Sequence, residues 1–481
     1  MDFHVSLAGR GDLSARIYRQ LLDAILDGRL RPGERLPPTR ELAGRLAVSR
    51  NTVAVAYDRL TADGFLVGQV GAGTFVSDQP PRPSRDRAAP GGAIRPRPIW
   101  SELHSTPVTG TAPPPFDFRV GVPDGGLFPV AAWRRLVAAE LRSPDVYAAR
   151  YREPAGHPGL RAAIARHVGV SRSVHAGADD VLVTQGAQQA LDLICRVLVE
   201  PGTVVAMEEP GYPQARMLFA SHGARIAPVP VDDEGMDVAA LPSDAALVYT
   251  TPSHQYPLGT PMSLARRTAL LTWARDHDAV IVEDDYDSEY RFSERPLEPL
   301  QSLDRGGRVL YVGSFSKTLL PILRLGFLVP PVSLRDALHT AKQLADWHGD
   351  LVTQGALARF LDEGLLARHL RRATREYAAR HERITEALAR DLADWLTIVP
   401  SAAGLHLCAR LAAPVDLAAV REIAARSGVE LGWLADSCHT TPAQEGVVIG
   451  YGVVDPARIS DGMRHLADAF GVASNGAVRI H

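Results

Sequence analysis

Val309-Leu310-Tyr311-Val312-Gly313-Ser314-Phe315-Ser316-Lys317 is an apolar run that stops at a glycine, two serines and a lysine. Such a run reads as a buried strand with a polar loop at its carboxyl end. The chain has 481 residues and 52 basic side chains, yet only Lys317 and Lys342 are lysines. An amine flanked by hydroxyls at a strand end suits a Schiff base with an aldehyde. Ser314 and Ser316 can hold a phosphate, and Arg324, seven residues on, adds a fixed bidentate cation. The alternative is a surface lysine at a helix start. Lys342 has no comparable setting and reads as an ordinary helix residue.

Upstream lie further strand-like runs: 181–184, 204–207, 247–250 and 280–282. Helical patterns fall between most of them. This alternation predicts an α/β fold with a mostly parallel sheet, whose ligands gather at the carboxyl ends of strands. Two more loops stand at such ends. Thr184-Gln185-Gly186-Ala187-Gln188-Gln189 leads into a helix whose free N–H groups suit an anion, unless it is an ordinary strand–helix turn. Glu283-Asp284-Asp285-Tyr286-Asp287 follows a very apolar strand. A carboxylate there needs a cation or a donor. Asp284 can pair with a protonated ring nitrogen and Tyr286 can donate to a phenolic oxygen. A metal-binding or solvent-facing acidic loop is the competing reading. Tyr212, in Glu209-Pro210-Gly211-Tyr212-Pro213, is a candidate to stack on a ring, or else a core tyrosine. Together these groups ask for one ligand with a phosphate, a ring nitrogen, a phenolic oxygen and an aldehyde. Pyridoxal 5′-phosphate (PLP) has all four.

Residues 80–115 hold ten prolines among Gly, Ser and Arg, which predicts an extended, semi-rigid linker. It separates a domain at residues 1–79 from a larger one at 116–481. In the smaller domain, Leu13, Ile17, Leu21, Leu22 and Ile25 share a helical face that Gly28 ends. A short helix opens at Pro38-Thr39. Ser49 is a good N-cap for the next helix, which runs to Asp63 before Gly64. Residues 65–67 and 74–76 make two short strands around a glycine-bearing turn. This is a winged helix-turn-helix. Ser49, Arg50, Asn51 and Thr52 start the helix that meets base edges and phosphates. Arg40 can reach a phosphate, and Gly71 lets the wing backbone approach closely. A winged helix used only for protein contacts is the alternative.

Composition sets limits. Formal net charge is −3, and the first 79 residues hold ten Arg against nine acids, so DNA binding must rest on a local patch and dimeric avidity. Cys195, Cys408 and Cys438 lie far apart, which argues against a disulfide framework or a structural zinc, and no metal is expected. No signal core and no long apolar run appears. The chain reads as cytoplasmic and nucleoid-associated when on DNA, with no membrane contact.

The segment LPPTRELAGRLAVSRNTVAVAYDRLTADGFL and the following GAGTF resemble the GntR-type winged helix. In that family Arg40, Ser49, Arg50, Thr52 and Gly71 occupy DNA-contacting positions. The segments YREPAGHPGLR, TQGAQQALDL, EEPGY, TPSHQYPLGTPMS, EDDYDSEYR and SFSKTLLPILRLG resemble fold-type I aminotransferases. The whole chain resembles MocR/GabR-type transcriptional regulators, which join these two parts through a variable linker. The resemblance implies a fold-type I domain with a small C-terminal α+β subdomain, and a homodimer presenting two winged helices to double-stranded DNA half-sites. It implies that Lys317 forms the imine with PLP, Asp284 pairs with the pyridine nitrogen and Tyr286 contacts the 3′ oxygen. Ser314, Ser316, Arg324 and the backbone of Gly186, Ala187 and Gln188 would hold the phosphate. Many aminotransferases have Asn-Pro-x-Gly where this chain has His254-Gln255-Tyr256-Pro257-Leu258-Gly259, so His254 or Gln255 is expected to replace that Asn. The family's carboxylate-binding Arg is expected near Gly446–Tyr451, but no Arg lies between Arg426 and Arg458. Either Arg410 or His439 replaces it, or the effector has no such carboxylate. The latter suits a regulator that senses PLP itself and controls vitamin B6 synthesis; an amino compound bound as an imine is the other effector class. A working aminotransferase with an appended DNA-binding domain is the alternative function.

Overall fold

The computed structural model describes residues 12–69, 71–80, 94–103, 113–144, 148, 150–292, 298–401, 403–441 and 443–477. The chain divides into two compact units, Met1–Pro96 and Arg97–His481.

In the first unit, helices α1 (Leu13–Leu26), α2 (Thr39–Leu46) and α3 (Arg50–Ala62) precede strands β1 (Leu66–Gln69) and β2 (Gly73–Val76). Asp12 caps α1 by accepting from Ser14 N at 2.9 Å. Ile17, Leu21, Ala24 and Ile25 recur every three to four residues and are buried against Leu42, Val53, Tyr57 and Leu60. Burying a Leu or Ile side chain contributes about 1.5–3 kcal/mol, which lets so small a core hold. Ala47 at φ 52° ends α2, and Ser49 Oγ then accepts from Thr52 N at 3.1 Å to start α3. The wing pairs Leu66 with Val76 and Gln69 with Gly73; Val70, at its tip, lies outside the described residues.

Most of the proline-rich stretch, residues 81–93 and 104–112, lies outside the described residues. Ile99–Glu102 departs from the expected extended linker. It forms a helical turn in the second unit, against the helix Pro213–Ser221, where Arg97 Nη2 donates to Ser221 O at 3.3 Å.

The second unit begins with β3 (Phe116–Phe118) and is organised on an eight-stranded sheet. Its strands are β4 (Leu182–Thr184), β5 (Val204–Glu209), β6 (Arg225–Asp232), β7 (Gly235–Met236), β8 (Ala245–Thr250), β9 (Val280–Asp285), β10 (Val309–Ser314) and β11 (Gly326–Val329). They lie in the order β4-β11-β10-β9-β8-β5-β6-β7. The block from β10 to β6 is parallel; β11 is antiparallel to both neighbours and β7 to β6. Helices cover both faces, so β5, β9 from Ile281 on, β10 and β11 are buried along their length without alternation, while the outer β6 alternates buried and exposed residues. A second sheet, in the order β12-β13-β15-β14-β3, is formed with β12 (Leu396–Ile398), β13 (His406–Leu411), β14 (Val429–Trp433) and β15 (Gly446–Gly450). The helices Leu365–Asp391 and Ile459–Ala477 share its core. This is the smaller α+β part. No helix among the described residues is long and apolar enough to cross a membrane.

Candidate functional site

The carboxyl ends of β8, β9 and β10 stand side by side, and a cavity of about 350 Å³ opens there. Lys317, Asp284, Tyr286, Ala187, Gln188, Tyr212, Ser314, Ser316 and Arg324 all line it. They come from segments more than a hundred residues apart in the chain.

Lys317 Nζ donates to the carbonyl oxygen of Gly121 at 2.7 Å. Burial lowers its pKa, with Asp287 and Asp284 opposing. That shift favours the free amine, the form that attacks an aldehyde. Gly121 has φ +77°, and a Cβ there would sit 2.7 Å from Nζ, so this approach requires glycine.

Asp284 accepts from the Tyr249 hydroxyl at 2.7 Å through Oδ2, while its Oδ1 is buried without a partner. Burial pushes its pKa up to about 7. A buried carboxylate with one orphaned oxygen, lining a cavity, calls for a cationic N–H there, and a pyridinium fits. The Tyr286 hydroxyl lies 3.0 Å from His254 O and 3.1 Å from His254 Nδ1. Burial holds its pKa well above the ordinary value, so it stays a donor. At the phosphate end, Ser314 Oγ accepts from Ser316 N at 3.1 Å, and Arg324 Nη2 donates to Gln185 O at 2.5 Å. Ala187 and Gln188 open the helix Ala187–Leu198 and line the cavity beside Arg324, and the first N–H groups of a helix have no partner within it. These residues fit PLP.

Two expected site residues stand outside the lining. Gly186, at φ +83°, underlies the Arg324 guanidinium: a Cβ there would lie 3.0 Å from Nη2. His254 is buried behind Tyr286, with Nδ1 3.1 Å from both oxygens of Asp287 and Nε2 3.2 Å from Ser401 Oγ. Gln255 is spent on the backbone, donating to Pro210 O and Tyr256 O and accepting from Leu258 N. Of the two proposed replacements for the usual Asn, Gln255 touches the cavity residue Tyr256 only at its main-chain oxygen, whereas His254 meets the side chains of Tyr286 and Asp287.

The acidic loop is not a solvated face, and its Asp287 stands with His254 and His406 in a buried trio whose nitrogen and oxygen atoms lie within 4.8 Å of one another. Glu283 accepts from Leu300 N and Gln301 N, and Asp285 from Arg172 Nε at 2.9 Å and the Tyr311 hydroxyl at 2.5 Å. Asp287 takes His254 and Leu405 N. Each acid has its own partners. Oδ1 is bare in both Asp284 and Asp285, but of those two only Asp284 lines the cavity.

Lys342 corrects its sequence reading. It is 1% exposed in the helix Arg335–Asp346 and pairs with Asp346. Asp346 also accepts from Gln185 Nε2 at 3.0 Å and Gln189 Nε2 at 2.7 Å. The second lysine therefore braces the loop 185–189, whose Ala187 and Gln188 line the cavity. Arg410 and His439 do not line the cavity. His439 N donates to Glu209 Oε1 instead, and β15 is buried and apolar throughout.

Sequence reasoning missed Gly121, Tyr249, Asp287 and His406, all of which line the cavity. Tyr249 left a weak signal, a polar ring inside an apolar strand; Gly121 and His406 left none.

In the first unit, Arg40, Ser49, Arg50 and Asn51 are exposed and Thr52 is half-buried at the start of α3. Arg50 Nε donates to Thr39 Oγ1 at 3.4 Å, linking α3 to α2. Gly71 is exposed at φ +78° in the wing. A Cβ on Gly73 would lie 2.9 Å from Arg35 Nε, which places an unforeseen cation against the wing.

A family model for aminotransferase class I and II matches residues 115–432, and one for bacterial regulatory proteins of the gntR family matches residues 13–76. The chain is 40% identical to the probable rhizopine catabolism regulatory protein MocR of Rhizobium meliloti, over 97% of this chain and 95% of that one. It is 31% identical to the pyridoxine biosynthesis transcriptional regulator PdxR of Corynebacterium glutamicum, over 95% and 96%. Its fold matches a kynurenine aminotransferase of Pyrococcus horikoshii solved with PMP, at TM-score 0.72 and 27% identity, over 78% of this chain and 96% of that one. The chain belongs to the MocR-type transcriptional regulators, in which a GntR-type DNA-binding winged helix is joined to an aminotransferase class I and II domain that binds pyridoxal 5′-phosphate.

Proposed function

We propose that this regulator anchors PLP on Lys317 and changes its grip on DNA when a small primary amine enters the same cavity. The observation that carries this is the pairing, across one cavity, of the Lys317 amine with the orphaned Oδ1 of Asp284. When bound, PLP supplies an aldehyde carbon for which Lys317 and an incoming amine compete. Asp284 holds the ring nitrogen protonated. Tyr286, set by His254, donates to the ring oxygen. Ser314, Ser316, Arg324 and the N–H groups at Ala187 and Gln188 orient the phosphate. Displacing Lys317 from Gly121 O biases the larger unit between two conformations, and residues 80–115 pass that bias to the winged helices. The protein works as a cytoplasmic homodimer, whose two winged helices engage two DNA half-sites.

A second reading makes PLP itself the effector and pyridoxine synthesis the controlled process. The apolar β15 and the similarity to PdxR favour it. Absorbance spectra of the wild type and Lys317→Ala test the anchor: the imine band should vanish in the variant. DNA-shift titrations with PLP alone, and with PLP plus amines, separate the two effectors. Steady-state turnover with an amino donor would favour a working aminotransferase instead.

A further inference from the structure

The helix Leu365–Asp391 buries Leu366, His369, Ala373 and Tyr377 on one face. The opposite face carries Arg368, Arg371, Arg372 and Arg375, all exposed. Their spacing of i, i+3, i+4 and i+7 makes them one stripe. None of the four side chains makes an ion pair or a hydrogen bond among the described residues. Glu376, four residues after Arg372, is taken by Arg380 at 3.1 Å. Other helices set an exposed arginine four residues from an acid that pairs with it, as Arg45 with Glu41 and Arg196 with Asp192.

Helix energetics works against this stripe. Arg368 with Arg372, and Arg371 with Arg375, are like charges at i, i+4, which destabilise a helix. Arg368 also stands in the first turn, which holds no acid and where the helix dipole repels a cation. A polyanion that meets all four relieves both effects. Over residues 368–375 the helix rises roughly 10 Å, and a duplex strand offers a phosphate about every 3.4 Å of its axis. Each guanidinium can bind phosphate bidentately. Glu382 and Glu386 occupy the same face farther along, so the basic stretch ends at Arg375. DNA is also the polyanion that a GntR-type regulator meets, and the first 79 residues bring little net charge to it, with ten Arg against nine acids. We propose that residues 368–375 form a second DNA-contacting surface, which grips the phosphate backbone of double-stranded DNA without reading its bases. This stands whether or not Lys317 anchors PLP.

The test uses the PLP-loaded full chain and two duplexes of equal length, the promoter beside the gene and a random sequence. Binding is followed by fluorescence anisotropy across a salt series. Arg368→Gln, Arg371→Gln, Arg372→Gln and Arg375→Gln together should weaken binding to both duplexes about tenfold or more, and lower the slope of log affinity against log salt by about two to four. That variant should keep the cofactor's absorbance and melt no lower than the wild type, because repulsion is removed. Lysine at the same four positions should restore most of the slope, since the charge is kept. In the wild type, DNA should protect these arginines severalfold from phenylglyoxal, read by mass spectrometry. An unchanged slope in the glutamine variant, a loss that lysine does not restore, a loss confined to one duplex, or equal labelling with and without DNA would each overturn the proposal. Stronger protection by polyglutamate or by anionic lipid vesicles than by DNA would overturn it in favour of an acidic protein or a membrane.

Discussion

The Tyr249 hydroxyl donates to Asp284 Oδ2 at 2.7 Å and leaves Oδ1 bare, so one carboxylate is half satisfied by the protein and half reserved. Burial raises its pKa from 3.8 to about 7. Between those values the folded chain keeps a proton that the unfolded chain has lost. The contribution of Asp284 to stability therefore falls as pH rises from about 4 to about 7, then levels off. Asp284→Asn should remove that slope. Cofactor-free Asp284→Asn should outlast the wild type in urea at pH 8 and lose that advantage at pH 4. Its PLP affinity should fall about 10- to 100-fold, because the ring nitrogen loses a charged partner. Equal stability at both pH values would contradict the argument.

Lys342→Met should act on the cofactor without touching it. The change leaves Asp346 without its cation and loosens its hold on Gln185 and Gln189. A loss of about 1–3 kcal/mol in unfolding free energy is expected. Fluorescence titration should show PLP affinity reduced severalfold, and the double variant with Asp346→Leu should lose less than the sum of the singles.

Arg172→Met tests the floor of the site. Arg172 and Asp285 are both buried, and Arg172 Nη2 also donates to Ser253 Oγ at 2.5 Å. Removing the guanidinium strands a buried carboxylate, at a cost of about 3–5 kcal/mol. Thermal unfolding should show it directly. The replacement of Asp285 by Asn in the same chain should recover part of the loss.

For DNA, Arg50→Ala and Arg40→Ala should weaken operator binding uniformly across sequences. Each should lower the slope of log affinity against log salt by about one for every phosphate left without its cation. Ser49→Ala should do more, because its hydroxyl also caps α3; about 1 kcal/mol of stability should go with it. Gel shifts at several salt concentrations, paired with melting curves, separate the two effects. An unchanged salt slope in both Arg variants would remove these residues from the interface.

Local sequence points to nine of the nineteen residues that line the site. Lys317 stands out because arginine cannot form an imine, and its strand end is marked by the glycine and serines around it. Asp284, Tyr286 and Ala187 follow from the same rule, that ligand groups gather at the carboxyl ends of strands, and Arg324 from its place seven residues after Lys317 as a bidentate cation. The winged helix is legible from caps and apolar spacing, down to Ser49 and its bond to Thr52 N. Lys342 is not, because burial of a lysine depends on Asp346 and on the packing of its helix rather than on its neighbours in sequence.

What the sequence determined by itself is the chemistry available: one amine, one acidic strand end, one phosphate loop and one DNA-reading helix. Those are properties of short segments whose backbone geometry is set locally. Only the tertiary structure decided which groups complete them. Gly121 meets Lys317 across 196 positions, Tyr249 meets Asp284 across 35, and His406 arrives on a separate sheet with its Nε2 unpaired. No periodicity encodes such meetings. They follow from the packing of two sheets around one cavity, where burial turns an ordinary histidine and an ordinary aspartate into groups that must find a partner.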